Sequence, residues 1–236
     1  MFFYFDPMYM VIMAVSLILS TYASSKVKSA FKKYKQVPAA SGLTGAEVAQ
    51  KMMERSGIKV AINPVNKKSF FGGSSADLSD HYDPRSKTVR LSPQVYGVNS
   101  VAAYGIAAHE VGHALQHAQG YKMLMLRNWI APVASIGSNL SYWLIILGYF
   151  MQLFSLVEIG ILLFGTAVFF QLVTLPVEFD ASRRAKDFLL KSGLVNQTES
   201  KGVAAVLNAA ALTYVAAAAT ALLNLAYLIF RYGGRR

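Results

Sequence analysis

The sequence contains no cysteine, and it has few acidic residues and few histidines. Without cysteine there can be no disulfide and no thiolate metal site, so any bound metal ion must be held by His, Asp or Glu. Four His and 12 Asp and Glu stand against 23 Lys and Arg, for a net charge of +11. The possible metal ligands are therefore few enough to be considered one by one.

Long apolar segments are abundant. Hydrophobic residues make up 54% of the 236 residues, which is more than a soluble core of this length normally uses. A transmembrane helix needs about 20 mostly apolar residues, and four segments qualify. They are residues 2–23, 129–150, 154–177 and 203–230. We therefore expect a mainly α membrane protein with about four transmembrane helices and a small α+β cytoplasmic layer.

The positions of the charged residues predict the orientation of these spans. Asp6 precedes the first apolar segment and lysines follow it, whereas a signal peptide begins with positive charge, so this segment is expected to be an uncleaved anchor. No Lys or Arg occurs between Arg127 and Arg183, which predicts a hairpin of two spans whose turn lies outside the cytoplasm. The positive charge thus reflects membrane orientation, and no nucleic-acid partner is expected.

Five regions follow along the chain. Residues 1–23 form the anchor, 24–128 a cytoplasmic α+β region, 129–177 the transmembrane hairpin, 178–202 a second cytoplasmic segment, and 203–236 the last span and its tail. The last segment is either a full span or a helix that lies in the interface or ends early. Three arginines near its end disfavour an outward C-terminus: Arg231, Arg235 and Arg236.

The cytoplasmic region contains signals for a helix and two strands. Thr44 and Glu47 have the spacing of a capping box that begins a helix, and Gly57 is expected to end it. Residues 58–62 and 87–91 are short β-branched segments that predict strands. This part of the chain is therefore expected to combine helix and sheet.

A helix is expected at about residues 99–119, beginning at Asn99 or Ser100 and stopping at Gly120, and it carries the motif His109-Glu110-x-x-His113. Two histidines four residues apart lie on one helical face and can bind one zinc ion, and the intervening glutamate can act as general base on a water that zinc has acidified. Four randomly placed histidines would give this pattern in on the order of one in several hundred such sequences. Coincidence is therefore the weaker interpretation.

A third ligand is needed, and the metzincin pattern does not supply it. That pattern requires Gly and His at positions that Gln116 and Gln119 occupy. His117 lies about 12 Å along the helix from His109 and about 80° around it, so the two can hardly share one ion. His117 is interpreted as a surface residue or as a hydrogen-bond partner near the site.

Among the glutamates, Glu178 has the position that the site requires. Glu158 is expected near the outer end of the third span, on the wrong side of the membrane, where it is interpreted as an interfacial or pore-facing polar residue. Glu178 follows that span, and a two-span hairpin returns it to the membrane face that carries His109 and His113. Glu178 is therefore the predicted third ligand.

Four motifs together resemble the YugP-like family of neutral zinc metallopeptidases of bacterial membranes, over nearly the whole chain. They are HEVGHALQ at 109–116, LPVEFDAS at 175–182, DHYDPR at 80–85 and NAAALTY at 208–214. That family in turn resembles the membrane gluzincins related to the HtpX and Ste24 proteases. The resemblance implies one Zn²⁺ ion, peptidase activity in the bacterial plasma membrane and Glu178 as third ligand.

The resemblance also exposes one departure. The related proteases have an aspartate four residues after the ligand glutamate, and here Ser182 occupies that position. Ser182 and Asp180 are both candidates for supporting a zinc-bound histidine. Asp180 points about 200° away from Glu178 on a helix, so a salt bridge with Arg183 or Arg184 is its alternative role.

Residues 80–92 are a candidate edge strand that would pair with an extended peptide substrate. His81 or Tyr82 would then be placed to donate a hydrogen bond to a developing oxyanion. The alternative is that 83–85 form a turn, which His81 and Tyr82 merely cap.

The predicted function is that of a cytoplasm-facing zinc metalloendopeptidase acting on membrane or membrane-proximal polypeptides. A catalytically inactive membrane scaffold or metal-binding module that retains the zincin fold is the alternative, because an intact motif alone does not show turnover. A transporter is disfavoured, since the spans have too few charged residues for an ion pathway.

Overall fold

The computed structural model describes residues 6–65 and 79–233. Within them lie seven helices and three strands. In chain order they are α1 Pro7–Lys35, α2 Gly45–Arg55, β1 Ala61–Pro64, β2 His81–Asp83, β3 Thr88–Leu91, α3 Pro93–Tyr96, α4 Val101–Ala118, α5 Lys122–Phe150, α6 Phe154–Lys191 and α7 Gln197–Tyr232. The first residues of the predicted anchor, and Arg235 and Arg236, fall outside the described residues.

Four of the helices, α1, α5, α6 and α7, are long and apolar enough to cross a membrane. This agrees with the expected number of spans, and the fourth segment qualifies by length and composition. The helices extend beyond the apolar segments: α1 continues through its lysines to Lys35, and α6 continues without a break to Lys191. Glu178 therefore lies on the same helix as the third apolar segment.

The chain forms two compact units. The first, here called the helical unit, contains Met1–Ser24, Lys122–Pro176 and Leu212–Arg236. The second, here called the mixed unit, contains Ser25–Tyr121 and Val177–Ala211. Together the described residues give a mostly helical protein with one small sheet, as the sequence predicted in outline.

The sheet of the mixed unit has the strand order β1-β3-β2. β1 pairs in parallel with β3, with Ile62 opposite Val89, and β2 pairs in antiparallel with β3, with Tyr82 opposite Val89. The predicted strand at 58–62 begins later, at Ala61. Of the predicted edge segment 80–92, only β2 is an edge strand, because β3 is central and mostly buried.

The helix signals of the mixed unit are confirmed. Thr44 and Glu47 form the capping box of α2. The helix ends before Gly57, which has a left-handed conformation at φ 68°. The Ser100 side chain accepts a hydrogen bond from the Ala103 amide at the start of α4, and Gly120, at φ 63°, follows its end. A left-handed glycine satisfies the last carbonyls of a helix without the steric cost of a Cβ.

α4 lies in the core of the mixed unit. Tyr104, Ala108 and Val111 have no exposed surface, and they pack in one cluster with buried residues of α2, β3, α6 and α7. The Tyr104 hydroxyl donates to the Leu43 carbonyl at 2.8 Å. The small residues of α4 allow this helix to be enclosed on most sides, which fixes the direction of the side chains it carries.

Candidate metal centre

His109 and His113 lie one turn apart on α4 with Glu110 directly after His109, and Glu178 lies on α6. The Nε2 atom of His109 is 3.3 Å from Oε2 of Glu178, and the Nε2 atom of His113 is 3.6 Å from the same oxygen. The two imidazole rings meet edge to face, with centroids 4.7 Å apart. Both histidines thus direct the same nitrogen toward one carboxylate.

These distances are those of a metal site. Two ligand atoms that each lie about 2.1 Å from a tetrahedral zinc ion are about 3.4 Å apart. One ligand atom from each of His109, His113 and Glu178 lies within 4.8 Å of the others, and no other group of this kind occurs in residues 6–65 and 79–233. Two imidazoles and one carboxylate also form a donor set that suits zinc and leaves a coordination position open. The residues therefore fit the ion.

The close approach of α4 and α6 depends on Gly112. A Cβ atom added at Gly112 would lie 2.8 Å from the Ala181 carbonyl oxygen and 3.2 Å from the Ala181 Cα. Glycine between Glu110 and His113 therefore allows the ligand-bearing turn of α4 to contact the α6 backbone. This contact brings Glu178 within reach of the two histidines.

The other ring nitrogen of each histidine also has a partner. Nδ1 of His109 is 3.1 Å from the Ser182 hydroxyl, and Nδ1 of His113 is 3.0 Å from Oε1 of Gln116. A histidine that binds a metal through Nε2 carries its proton on Nδ1 and donates it to such a partner. Ser182, at the position where related proteases have aspartate, thus contacts the first histidine directly.

Asp180 forms the salt bridges considered for it and contacts one further residue. Its carboxylate pairs with Arg183 and Arg184, and Oδ2 also accepts a hydrogen bond of 3.0 Å from Nε2 of Gln116. Asp180 therefore reaches His113 through Gln116. The contact with Gln116 was not predicted, because in the sequence Gln116 stands out only as a mismatch to the metzincin pattern.

Buried negative charge characterises this part of the mixed unit. Burial opposes a positive charge on His113, but hydrogen bonding to Glu178 and the charges of Glu110 and Glu178 outweigh it, so the pKa of His113 is raised. Burial also raises the pKa of Asp80 to about 6; the Glu110 charge adds to this effect, and hydrogen bonds from Ser92 oppose it. The surroundings of His113 thus favour a positive charge, as a cation site requires.

The remaining candidates lie on or beside β2. Tyr82 shares a 2.8 Å hydrogen bond between its hydroxyl and Nδ1 of His117, so the hydroxyl is engaged with α4. His81 is exposed, and its Nδ1 hydrogen-bonds the Ser79 carbonyl at 2.8 Å. Neither His81 nor His117 belongs to the group that converges on Glu178 in the described residues. The oxyanion role of His81 and Tyr82 stays a prediction.

Residues 9–233 match the model of a family described as "Putative neutral zinc metallopeptidase". The chain belongs to this family. It is also 46% identical over 211 residues to the "Putative membrane protease YugP" of Bacillus subtilis (strain 168), a match that covers 89% of this chain and 90% of that relative. No solved structure matches the chain. Family membership and the relative's name, with the four apolar helices, indicate a membrane protein of zinc peptidase type.

Proposed function

We propose that this protein is a zinc-dependent membrane metalloendopeptidase of the gluzincin type. His109, His113 and Glu178 would hold one zinc ion, and Glu110 would be the general base. The observation that carries the proposal is the convergence of both Nε2 atoms on one Glu178 oxygen, at 3.3 and 3.6 Å. The family of zinc metallopeptidases to which the chain belongs supports the choice of metal.

When bound, zinc would supply Lewis acidity, which acidifies water and polarises the carbonyl of the peptide bond. Glu110 lies between His109 and His113 in the sequence of α4 and is largely buried, with 8% of its surface exposed. Its carboxylate would accept a proton from the attacking water and pass it to the leaving amine nitrogen. The side chains of Ser182 and Gln116 would hold the two imidazoles in orientation throughout.

The substrate is proposed to be an extended polypeptide, membrane-embedded or close to the membrane. Among the described strands β2 pairs only with β3, so one side of its backbone can pair with a peptide. Tyr82 joins β2 to α4 through its hydrogen bond with His117. An added peptide strand would therefore run beside the helix that carries the motif.

The deciding experiment compares the wild-type protein with Glu110→Gln for bound zinc and for cleavage of an unfolded protein. We expect equal zinc in both and cleavage only by the wild type. Glu54→Gln is the matched control, since Glu54 is an exposed residue of α2 that accepts a hydrogen bond from Gln50. Zinc binding without cleavage by either protein, across a panel of substrates, would favour the inactive scaffold.

The site is further proposed to face the cytoplasm of a bacterial plasma membrane, since basic residues flank the apolar segments beside it. The absence of cysteine makes this testable with single-cysteine variants. In Gln50→Cys, an exposed position on α2, a membrane-impermeant maleimide should label inverted vesicles but not intact cells. Labelling of intact cells would place the site outside.

A further inference from the structure

Gln116 is an unusual glutamine because its side chain is fully buried and all of its amide groups are engaged. It lies three residues after His113 on α4. Oε1 lies 3.0 Å from Nδ1 of His113, and Nε2 donates to the Val177 carbonyl at 2.8 Å and to Asp180 Oδ2 at 3.0 Å. One amide therefore connects a proposed ligand on α4 with the part of α6 that carries Glu178.

The partners of Gln116 determine how its amide is oriented. The Val177 carbonyl and the Asp180 carboxylate can only accept hydrogen bonds, so they require the NH₂ group of the amide. Asp180 is itself held by Arg183 and Arg184, which keeps it ionised and in place. Oε1 of Gln116 must then face His113, since both N–H groups of the amide are already used.

An amide oxygen can only accept, which in turn fixes the proton of His113. Nδ1 of His113 must donate to Oε1, and the lone pair of the neutral ring is left on Nε2. Nε2 is the atom that faces Glu178 at 3.6 Å. The hydrogen bonds that run from Asp180 through Gln116 to His113 thus select the metal-binding tautomer of the neutral His113 ring.

The two histidines differ in this respect. The Ser182 hydroxyl beside Nδ1 of His109 can either donate or accept, so it is compatible with both tautomers of that ring. Only the partner of His113 imposes a tautomer. His113 is therefore the more strongly organised of the two imidazoles.

We propose that Gln116 is a positioning residue that holds His113 in the tautomer required for zinc binding, and that Asp180 orients Gln116 for this purpose. The inference rests on the proposed zinc function. A positioning role and a role in packing alone predict opposite results for two substitutions of Gln116. The substitution that one role tolerates is the one that the other role does not.

Gln116→Met keeps an unbranched side chain of similar size but cannot accept a proton from Nδ1. Gln116→Glu keeps an acceptor for Nδ1 but places a second carboxylate beside Asp180. We expect zinc affinity to fall about 10- to 100-fold in the methionine variant, as for other partners of metal-bound histidines, and to stay within about threefold of wild type in the glutamate variant. If Gln116 merely fills space, Met is tolerated and Glu is the damaging change.

The measurement uses full-length protein and zinc ions alone, titrated against a competing chelating dye, together with the absorption spectrum of the Co²⁺-loaded protein. The spectrum should change in Gln116→Met, because the His113 ring is no longer held. Gln50→Met is the matched control, since Gln50 is an exposed glutamine of α2 whose side-chain amide donates to Glu54 at 2.8 Å. Its zinc affinity should stay within about twofold of wild type.

Asp180→Asn provides a second variant in case Gln116→Glu does not fold. An asparagine can present either its N–H₂ or its oxygen to Gln116, so the Val177 carbonyl alone still favours the original orientation of the amide. We expect a loss of zinc affinity of several-fold. Wild-type affinity and an unchanged Co²⁺ spectrum in Gln116→Met would overturn the inference and leave the zinc site intact. A wild-type protein that binds no zinc would overturn the zinc site and this inference with it.

Discussion

The helical unit and the mixed unit differ in how much of their apolar side chains is exposed. In the helical unit Trp129, Leu162 and Phe230 are 73%, 75% and 76% exposed, whereas in the mixed unit Val111 and Leu189 are completely buried. Exposed apolar surface on this scale is costly in water and carries no such cost in lipid. The difference indicates that one unit is surrounded by hydrocarbon and the other has a core of the soluble type, which alone contains the candidate metal centre.

The largest expected effect comes from removing the metal. At free zinc about 1,000 times its dissociation constant, the bound ion should stabilise the mixed unit by about 4 kcal/mol. A chelator should therefore accelerate hydrogen exchange in α4, and leave the helical unit unchanged, as judged by α5. Glu178→Gln serves as the control, since its exchange should no longer respond to the chelator. Equal acceleration in both helices would contradict the assignment of the ion to the mixed unit.

A smaller effect is expected from truncating one leucine in each unit. Leu189→Ala removes a completely buried side chain from the mixed unit and should lower its free energy of unfolding by about 3 kcal/mol. Leu162→Ala changes a side chain that is 75% exposed and should alter stability by less than about 0.5 kcal/mol. Denaturant unfolding of the detergent-solubilised protein measures both. Similar losses would remove the contrast between the units.

Adding one methyl group to a glycine tests packing in the same way. Gly112→Ala should destabilise the mixed unit by about 2 kcal/mol, because the new Cβ would lie 2.8 Å from the Ala181 carbonyl oxygen. It should also weaken zinc binding by separating α4 from α6. Gly165→Ala lies in the segment of α6 that belongs to the helical unit. Beyond the neighbouring helix backbone, no heavy atom of the described residues lies within 4 Å of the new Cβ, so this change should be neutral or slightly stabilising. Thermal unfolding and zinc titration give the two readouts.

The smallest expected effect is a dependence on pH. The pKa of Asp80 is raised from 3.8 to about 6, so the folded state binds the proton of the Asp80 carboxyl group more tightly than the unfolded state does. The contribution of Asp80 to stability is therefore greatest below about pH 4 and is lost as the pH rises to about 6. Because Asp80 is only partly enclosed, we expect a change of about 1 kcal/mol.

Asp80→Asn should remove that contribution, so the difference in stability between wild type and variant should change between about pH 4 and about pH 6.5. Metal-free protein must be used, so that zinc binding adds no pH dependence of its own. Asp83→Asn is a suitable comparison, since hydrogen bonding to Ser86 lowers the pKa of Asp83. A difference that is constant with pH would show that Asp80 titrates normally.

Local signals in the sequence predicted the helices well. Thr44 with Glu47, and Ser100 with Gly120, mark the ends of α2 and α4 through contacts within a few residues, which a sequence displays directly. The convergence of Glu178 with the two histidines was also predicted, from the number of spans between them. These features depend on contacts between residues close in sequence or on the number of membrane spans, and neither requires knowledge of how side chains pack.

The remaining features depend on how distant elements pack. The short strand β2 was not separated from β3, because its pairing is visible only in the register of Tyr82 with Val89. The contact of Gln116 with Asp180 could not be foreseen, since it requires α4 and α6 to approach within the space that Gly112 leaves. The signal available in the sequence was a glutamine three residues after a predicted metal ligand.

The order of the site residues along the chain has a consequence for biosynthesis. His109 and Ser182 contact each other although they are 73 positions apart in sequence. A ribosome-bound chain that ends before α6 has both imidazoles but lacks the carboxylate and the partner of the first histidine. Under the proposed zinc site, such an intermediate cannot assemble the complete set of ligands, so the protein would acquire its metal only after α6 has been synthesised and packed against α4.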